Sequence, residues 1–166
     1  MAKEIILNDG SIALVDDADF TFLSQWSWQI DAKGYAVRTL HLGKINGRHR
    51  KTSVRMHRLL LAAPPFFQID HINGVKTDNR KCNLRLCTNG QNQANGASYR
   101  NSTSKYRGVS WSTVRKAWVA QIQKDKKKIM LGDFASERDA AVAYNRAAKR
   151  LFGDFCRLNA IDEEAA

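Results

Sequence analysis

Short stretches of alternating apolar and polar residues open the chain and predict strands before any helix. Residues 3–15 alternate on both sides of Asn8-Asp9-Gly10, a strong turn signal, and therefore predict a pair of short strands. Three acidic residues, Asp16, Asp17 and Asp19, then precede a segment that contains Phe20, Phe22, Leu23 and Trp26. This order is typical of the start of a short helix.

The next part of the chain is predicted to alternate between strands and basic loops. Residues 28–39 and 51–61 are expected to form strands, the second of which could lead into a helix. Residues 43–51 are rich in basic and polar side chains and are interpreted as the loop between them.

A strand, a long loop, a second strand and a helix are predicted between residues 66 and 95. The first strand is expected from Phe66 to Asp70, and Asn73-Gly74 opens the loop. The second strand is expected from Leu84 to Cys87. Thr88 and Gln91 have the spacing of a capping box, which predicts that a helix begins there.

Three strands followed by one helix are predicted in the C-terminal part. The alternation is clearest around Trp118, Ala120 and Ile122. Ser136 and Asp139 have the spacing of a helix start, and apolar residues at helical spacing follow as far as Gly153. The fold class is therefore α+β. The predicted organisation is a small α+β domain over residues 1–97, a linker over 98–104, a three-stranded antiparallel sheet packed on one helix over 105–159, and an acidic tail over 160–166.

Charge identifies the class of partner. The chain of 166 residues has a formal net charge of +11, and residues 98–159 contain 14 Lys and Arg against 5 Asp and Glu. Such an excess indicates a polyanion, for which nucleic acid is the usual candidate. A protein that is basic without such a partner is the alternative on charge alone.

Cysteine usage and hydropathy exclude other classes. The three cysteines, Cys82, Cys87 and Cys156, form no C-x-x-C pair, which argues against a disulfide framework or a thiolate zinc site. No apolar run approaches the ~20 residues of a membrane span, and the N-terminus lacks a signal peptide. The expected location is the cytoplasm, of a bacterium or of a phage-infected host.

One imidazole, one carboxylate and two amides form the candidate catalytic group. Asp70 and His71 end the predicted first strand, Asn83 precedes the second, and Asn92 lies on the helix. Phosphodiester hydrolysis needs a cation on the scissile phosphate and an activated water. A hard divalent ion takes oxygen ligands, which Asp70 and Asn92 can supply. A histidine beside the ion can accept the proton of the water.

Structural roles remain the alternative for these residues, since polar side chains are common in loops. Asn83 could also hold the loop, or orient the imidazole through a hydrogen bond. His57 could lie near the site or be a packed core histidine. Arg85 and Asn95 are further candidates for the neighbourhood of the site.

The combination resembles the motif of the HNH endonucleases, the ββα-metal group, and in particular the phage and intron-borne homing enzymes. The resemblance covers residues 1–97 and is most specific over 54–95. It implies that Asp70 and Asn92 bind one divalent metal ion, Mg²⁺ or Mn²⁺. It also implies that His71 is the general base and that Asn83 orients the loop. The final motif position is Asn92 here, where other members of the family have histidine.

The C-terminal part resembles the APETALA2/ethylene-response DNA-binding domain of plants. Matching segments are Tyr106-Arg107-Gly108-Val109, Lys116-Ala117-Trp118, Leu131-Gly132-Asp133-Phe134, Ala140 to Asn145, Phe152-Gly153 and Leu158-Asn159. The resemblance implies that the sheet enters the major groove, with Arg107 and Trp118 as the contacts carried over by position. Sheet geometry adds further candidates: Trp111, Arg115, Lys116, Gln121, Gln123 and Lys124. Trp118 could instead belong to the core.

These observations predict a metal-dependent DNA endonuclease, directed to double-stranded DNA by its C-terminal domain and acting as a monomer without an obligatory protein partner. A DNA-binding regulator that has lost cleavage on the same scaffold is the main alternative. An RNA-binding or structural protein is a third, and would show no preference for duplex DNA.

Overall fold

The computed structural model describes residues 1–96 and 102–161 and divides the chain into two compact units. The first unit is Met1–Thr88 and the second begins at Asn89. The sequence prediction placed the boundary after residue 97, whereas in the structure the helix that ends the expected motif groups with the second unit. Most of the linker predicted over 98–104 and of the acidic tail predicted over 160–166 lies outside the described residues. Helices and antiparallel sheets are mixed along the chain, and the α+β class is confirmed.

The first unit starts with a hairpin that packs on a helix. Strand β1 (Ala2–Ile6) pairs antiparallel with β2 (Ile12–Asp16), and α1 (Asp17–Leu23) follows directly. Trp28 is 1% exposed and its indole N–H donates to the carbonyl of Leu23 at 2.9 Å. The core of the unit consists of Ile5, Leu7, Ala13, Val15, Leu23, Trp28, Ala36 and Met56.

A long hairpin, formed by two strands of a three-stranded sheet, is the main departure from the sequence prediction in this unit. Strands β3 (Gln29–Ile30), β4 (Ala36–Ile45) and β5 (Arg48–Arg55) form one antiparallel sheet. The loop predicted over residues 43–51 is wrong, because β4 and β5 pair as far as Ile45 and Arg48. Asn46 and Gly47 have φ of 51° and 75°, which matches the tight hairpin turns with two positive φ angles.

Another helix and a third pair of strands complete the first unit. Helix α2 (Met56–Leu61) follows β5 directly. Strand β6 (Gln68–His71) pairs antiparallel with β7 (Leu84–Cys87), and a 3₁₀ turn over Lys81–Asn83 leads into β7. The strand expected from Phe66 is therefore shorter and starts at Gln68.

The second unit is a three-stranded sheet covered by one long helix. Helix α3 (Asn89–Asn95) precedes the sheet, whose order is β10 (Lys127–Phe134), β9 (Ala117–Lys124) and β8 (Val109–Ser112). Helix α4 (Glu137–Phe152) packs on it and is capped by Ser136, whose side chain accepts from the N–H of Arg138 and Asp139. This arrangement agrees with the three strands and the helix start expected from the sequence.

Small residues bring α4 close to the sheet. Ala140 and Ala141 pack with Tyr106, Val109 and Ala120 in one buried cluster. A second cluster contains Ile122, Tyr144, Ala147 and Ala148.

Gly108 is required where the chain crosses under the helix. Its φ is 73°, and a Cβ placed there would lie 2.1 Å from a ring carbon of Tyr144 and 2.6 Å from the carbonyl oxygen of Gln121. Only glycine combines this backbone conformation with so close an approach.

Candidate active site and nucleic-acid interface

The β6–β7 hairpin buries the Asp70 carboxylate against a guanidinium. Asp70 and Arg85 are direct cross-strand partners, and Asp70 is 4% exposed. The Nε and Nη2 groups of Arg85 both donate to Oδ2 of Asp70, at 2.8 and 2.6 Å. A buried carboxylate is costly unless it is paired, so Arg85 stabilises the position of Asp70 in this strand.

Asn83 holds together the loop that connects β6 to β7. Its Oδ1 accepts from the backbone N–H of Asn73 at 3.0 Å, and its Nδ2 donates to the carbonyl of Asp78 at 2.9 Å. Its own carbonyl accepts from the N–H of Ile72. The buried amide thus joins both ends of the loop, and the first of these ends follows His71 directly.

The same loop is tied to the first hairpin of the unit. The N–H of Leu14 donates to Thr77, and the N–H of Asn79 donates back to Leu14 at 2.7 Å. Asp78 is 2% exposed and accepts from Asn73 and Arg80. These bonds lower the pKa of Asp78, with the Arg80 side chain as the largest cause. Hydrogen bonds within the loop and to Leu14 therefore hold the loop beside His71 in one conformation.

His71 belongs to a cluster of three rings, in which the two imidazoles are buried and the tyrosine ring is half-buried. Its imidazole lies 5.1 Å from that of His57 and 5.8 Å from the ring of Tyr35, measured between centroids. Tyr35 and His57 are 5.0 Å apart. Asp70 points to Arg85 and His71 to this cluster, so the two adjacent side chains have different surroundings, as alternation along a strand requires.

Burial keeps both imidazoles neutral. The pKa of His57 is lowered to about 3, first by burial and then by the neighbouring His71. The pKa of His71 is also lowered, mainly by burial, while the Asn79 side chain and the charge of Asp70 act in the opposite direction. A neutral imidazole is the form that can accept a proton.

Tyr35 is a neighbour of the site that the sequence prediction missed. Arg55 stacks on its ring with a centroid distance of 4.5 Å, and Lys76 lies 4.9 Å from the same centroid. Arg55 also bonds Asp31 through Nε and Nη2. Tyr35 lies far from Asp70 and His71 in sequence, and no local spacing could have revealed it.

The carboxylate and amide oxygens of the motif residues fit a hard cation better than a soft one. Within residues 1–96 and 102–161, no group of three or more His, Cys, Asp or Glu side chains is placed to hold a metal. Burial raises the pKa of the nearby Cys87 to about 11, so this thiol is protonated and a poor ligand. One carboxylate and amide oxygens suit an ion such as Mg²⁺, which keeps several water or phosphate ligands.

The remaining motif residues lie on α3. Asn92 is part of this helix, and Asn95 on the same helix is 8% exposed. Both belong to the second unit, so the joint binding of one ion by Asp70 and Asn92 stays a prediction.

In the second unit, alternation along β9 separates two faces of the sheet. Trp118, Ala120 and Ile122 belong to or pack against the clusters under α4. Gln121 and Gln123 alternate with them and therefore lie on the opposite face, away from the helix. Trp118 contributes to the core, and its ring meets the 40% exposed Trp111 edge to face at 5.3 Å.

The basic DNA-contact candidates differ in their surroundings. Arg115 pairs with Asp133 at 2.9 Å near the start of β9, and both side chains are largely exposed. Lys116 lies in the β8–β9 turn with a φ of 51°. Lys124 ends β9, where Asp125 and Lys126 form the hairpin turn with positive φ. Arg107 is directed to α3, where its guanidinium donates to the carbonyls of Gln93 and Gly96.

Comparison with known proteins bears on both units. Residues 54–94 match the family described as HNH endonuclease. This segment contains Asp70, His71, Asn83 and Asn92. The resemblance to HNH endonucleases is confirmed. An uncharacterised HNH endonuclease of Acanthamoeba polyphaga mimivirus is 28% identical over 159 residues, which cover 92% of this chain and 77% of the relative.

The C-terminal part has relatives of a different kind. Dehydration-responsive element-binding protein 2E of Oryza sativa subsp. japonica is 44% identical over 61 residues. Protein 2D of the same name in Arabidopsis thaliana is 39% identical over 61 residues. These matches cover 36% of this chain but only 19% and 29% of the two relatives. No solved structure matches the chain.

These findings support a nuclease with a DNA-binding part. Among the described residues, no helix is both long and apolar enough to cross a membrane.

Proposed function

We propose that this protein is a metal-dependent DNA endonuclease of the homing type, which makes a nick or a double-strand break in double-stranded DNA as a monomer. The observation that carries the proposal is the buried Asp70-His71 pair within the segment that matches the HNH endonucleases. Phage-borne and intron-borne enzymes are the nearest functional type.

His71 acts as the general base in this proposal. Its lowered pKa leaves the imidazole neutral at pH 7, ready to take a proton from the attacking water. His57 and Tyr35 pack against its ring and limit its rotation. Asn83 holds the loop that follows His71, through the bonds to Asn73 and Asp78.

Asp70 and Asn92 would hold one divalent ion, Mg²⁺ or Mn²⁺. When bound, this ion supplies neutralisation of the scissile phosphate and a more acidic water. Arg85 orients the Asp70 carboxylate, since two of its hydrogen bonds fall on Oδ2.

Contacts to DNA are proposed for the open face of the second unit's sheet. Gln121 and Gln123 lie on this face and carry the amide groups that pair with adenine edges in the major groove. Arg115, Lys116 and Lys124 lie at the ends of the strands, where they can reach phosphates and strengthen binding without reading sequence.

The β4–β5 arm is the corresponding surface of the first unit. We define the arm as residues 41–53; it is exposed throughout the part that the structure describes, and it contains Lys44, Arg48, Arg50 and Lys51. No Asp or Glu occurs between Asp31 and Asp70. A two-stranded ribbon fits the major groove, and alternation places cations on both of its faces.

One alternative has an observation in its favour. The plant relatives of the C-terminal part are named as element-binding proteins, which is consistent with DNA binding without cleavage. The buried Asp70-His71 pair and the match of its segment to the HNH endonucleases favour cleavage over this alternative.

Cleavage of supercoiled plasmid that carries the native flanking locus distinguishes the two functions. With Mg²⁺ or Mn²⁺, we expect nicked or linear product, and none with EDTA. His71→Ala is expected to lose ~10²–10⁴-fold in rate with nearly unchanged DNA affinity. Glu4→Ala, which removes an exposed carboxylate from the same unit, is the control and should cleave normally. Sequence-selective binding without product in the wild type would establish the regulator instead.

A further inference from the structure

Arg107 connects the sheet of the second unit to the helix that carries Asn92. Its Nη2 donates to the carbonyl of Gln93 at 2.6 Å, and its Nη1 donates to the carbonyl of Gly96. These carbonyls lie at the C-terminal end of α3, where helix carbonyls lack partners within the helix. A guanidinium at this end also faces the negative end of the helix dipole.

The backbone of Arg107 is itself held from α4. Its N–H donates to Oδ1 of Asn159 at 2.7 Å, and its carbonyl accepts from Nδ2 of Asn159. Asn159 is bonded in turn to Asn145 on α4, through its N–H at 2.8 Å and its carbonyl at 3.0 Å. A continuous set of hydrogen bonds therefore runs from α4 through Asn159 and Arg107 to α3.

A second bond reinforces the connection. The N–H of Arg157 donates to the carbonyl of Ala94 at 3.2 Å. Helix α3 has only seven residues, and a helix this short is marginal without tertiary support. Hydrogen bonds at its last carbonyls are therefore a substantial part of what keeps it formed.

From this geometry we infer that Arg107 is a positioning residue for the nuclease site rather than a reader of DNA bases. It fixes the C-terminal turn of α3 and thereby the orientation of Asn92. The inference rests on the proposed function, in which Asn92 is a metal ligand. It implies that the second unit does more than direct the enzyme to DNA, because it also supports one of the ligands.

The sequence resemblance suggested the other role. Arg107 was the best positional match to a DNA-contacting arginine, and its guanidinium would then be free to reach a guanine edge. In this chain Nη1 and Nη2 of the guanidinium donate instead to the carbonyls of Gly96 and Gln93, at the C-terminal end of α3. The two roles predict different losses when the side chain is removed, which makes them separable.

Hydrogen–deuterium exchange of the full-length protein tests the contact itself. Arg107→Ala should accelerate exchange in residues 91–95 by at least about tenfold, while exchange in β9 stays unchanged. Arg146→Ala is the matched control, because it removes an exposed arginine of α4. Equal exchange of α3 in the two variants would overturn the inference. This measurement needs no cleavage, so it stands even if the proposed function fails.

Metal titration of cleavage tests the consequence. Arg107→Ala should raise the Mg²⁺ concentration for half-maximal cleavage by roughly 10–100-fold, the usual effect of removing a residue that orients a ligand. Affinity for the native duplex, measured in EDTA, should match that of Arg146→Ala. Arg107→Lys retains the charge but not the two-pronged geometry, and should restore little of the metal response.

The opposite pattern would assign Arg107 to DNA. In that case Arg107→Ala would weaken binding to the native duplex in EDTA and leave the Mg²⁺ midpoint unchanged, and Arg107→Lys would recover part of the affinity. A wild-type protein that cleaves with neither Mg²⁺ nor Mn²⁺ would remove the proposed function, and the exchange experiment alone would then decide the role of Arg107.

Discussion

The imidazoles of His57 and His71 meet edge to face, with centroids 5.1 Å apart and ring planes at 86°. Both are almost completely buried, at 4% and 5% exposure. Among the described residues, none is hydrogen-bonded to the Nδ1 atom of His57. A proton added to His57 would therefore place a charge beside a second imidazole without a compensating acceptor at this nitrogen.

This relationship predicts that the protein loses stability in mild acid. An unfolded histidine titrates near 6.5 and folded His57 near 3, so the unfolded state binds one more proton between these values. Stability is therefore fully present above pH 6.5 and falls as the pH decreases towards 3. His57→Gln should reduce the pH dependence of the unfolding free energy by about 1.4 kcal/mol per pH unit between pH 5.5 and 4.5.

Urea denaturation at several pH values measures how the unfolding free energy changes with pH. The variants are compared by this pH dependence and not by their absolute stability. His49→Gln is the control, because His49 is exposed on the arm. Parallel pH profiles for wild type and His57→Gln would contradict the prediction.

The Asp70–Arg85 pair predicts a large effect of removing only the cation. Arg85→Met would leave the 4% exposed carboxylate without its guanidinium. Breaking a buried pair in this way costs about 3–5 kcal/mol. Arg115→Met removes an exposed ion pair with Asp133 and should cost below about 1 kcal/mol. Chemical denaturation compares the two, and equal losses would mean that Asp70 is not dependent on Arg85.

Elements with a strong apolar period were predictable from the sequence. The Ser136 cap and the apolar spacing after it identified α4, and the alternation at Trp118, Ala120 and Ile122 identified the core face of β9. The arm was missed because the described side chains of residues 41–53 are all exposed, so no alternation marks this part of the strands. Asn46-Gly47 was the available signal, since this dipeptide favours a hairpin turn.

The site was predictable only where it is local in sequence. Asp70, His71 and Asn83 lie within one hairpin and its loop, and the structure places them there. Tyr35, directly before β4, and Arg55, at the end of β5, lie far from His71 in sequence. The packing that brings Tyr35 to His71, and Arg55 to Tyr35, is not revealed by spacing. The bonds of Arg107 to the end of α3 were likewise hidden, since they join residues 11 and 14 positions apart in the sequence.

The close packing around Gly108 predicts that one added methyl group greatly reduces the stability of the fold. Gly108→Ala should be strongly destabilising, by more than about 3 kcal/mol, because the methyl group meets Tyr144 and the backbone of Gln121. Gly153→Ala is the matched control: it also has positive φ, at 58°, but faces open space, so only backbone strain of about 1–3 kcal/mol remains. Thermal unfolding of the two variants gives the comparison, and similar melting temperatures would contradict the close approach.

The arm predicts a change in the salt dependence of DNA binding. Arg48→Ala combined with Lys51→Ala removes two cations from the arm, which lowers the slope of log K against log salt by about 1.8 if both contact phosphates. Lys3→Ala with Lys33→Ala removes the same charge from other exposed positions of the unit. Fluorescence anisotropy at several salt concentrations provides the slopes. Equal slopes for the two double variants would show that the arm does not touch DNA.

The exposure of the arm also has a consequence for how this protein can change over time. The described side chains of the arm are all exposed, and substitutions at exposed positions alter stability little. Selection can therefore test new residues there while the core and the buried pair persist. A homing endonuclease, as proposed for this chain, must follow drift in its target. The arm gives it a place to acquire new preferences at low structural risk, and it offers protein engineers the same opportunity.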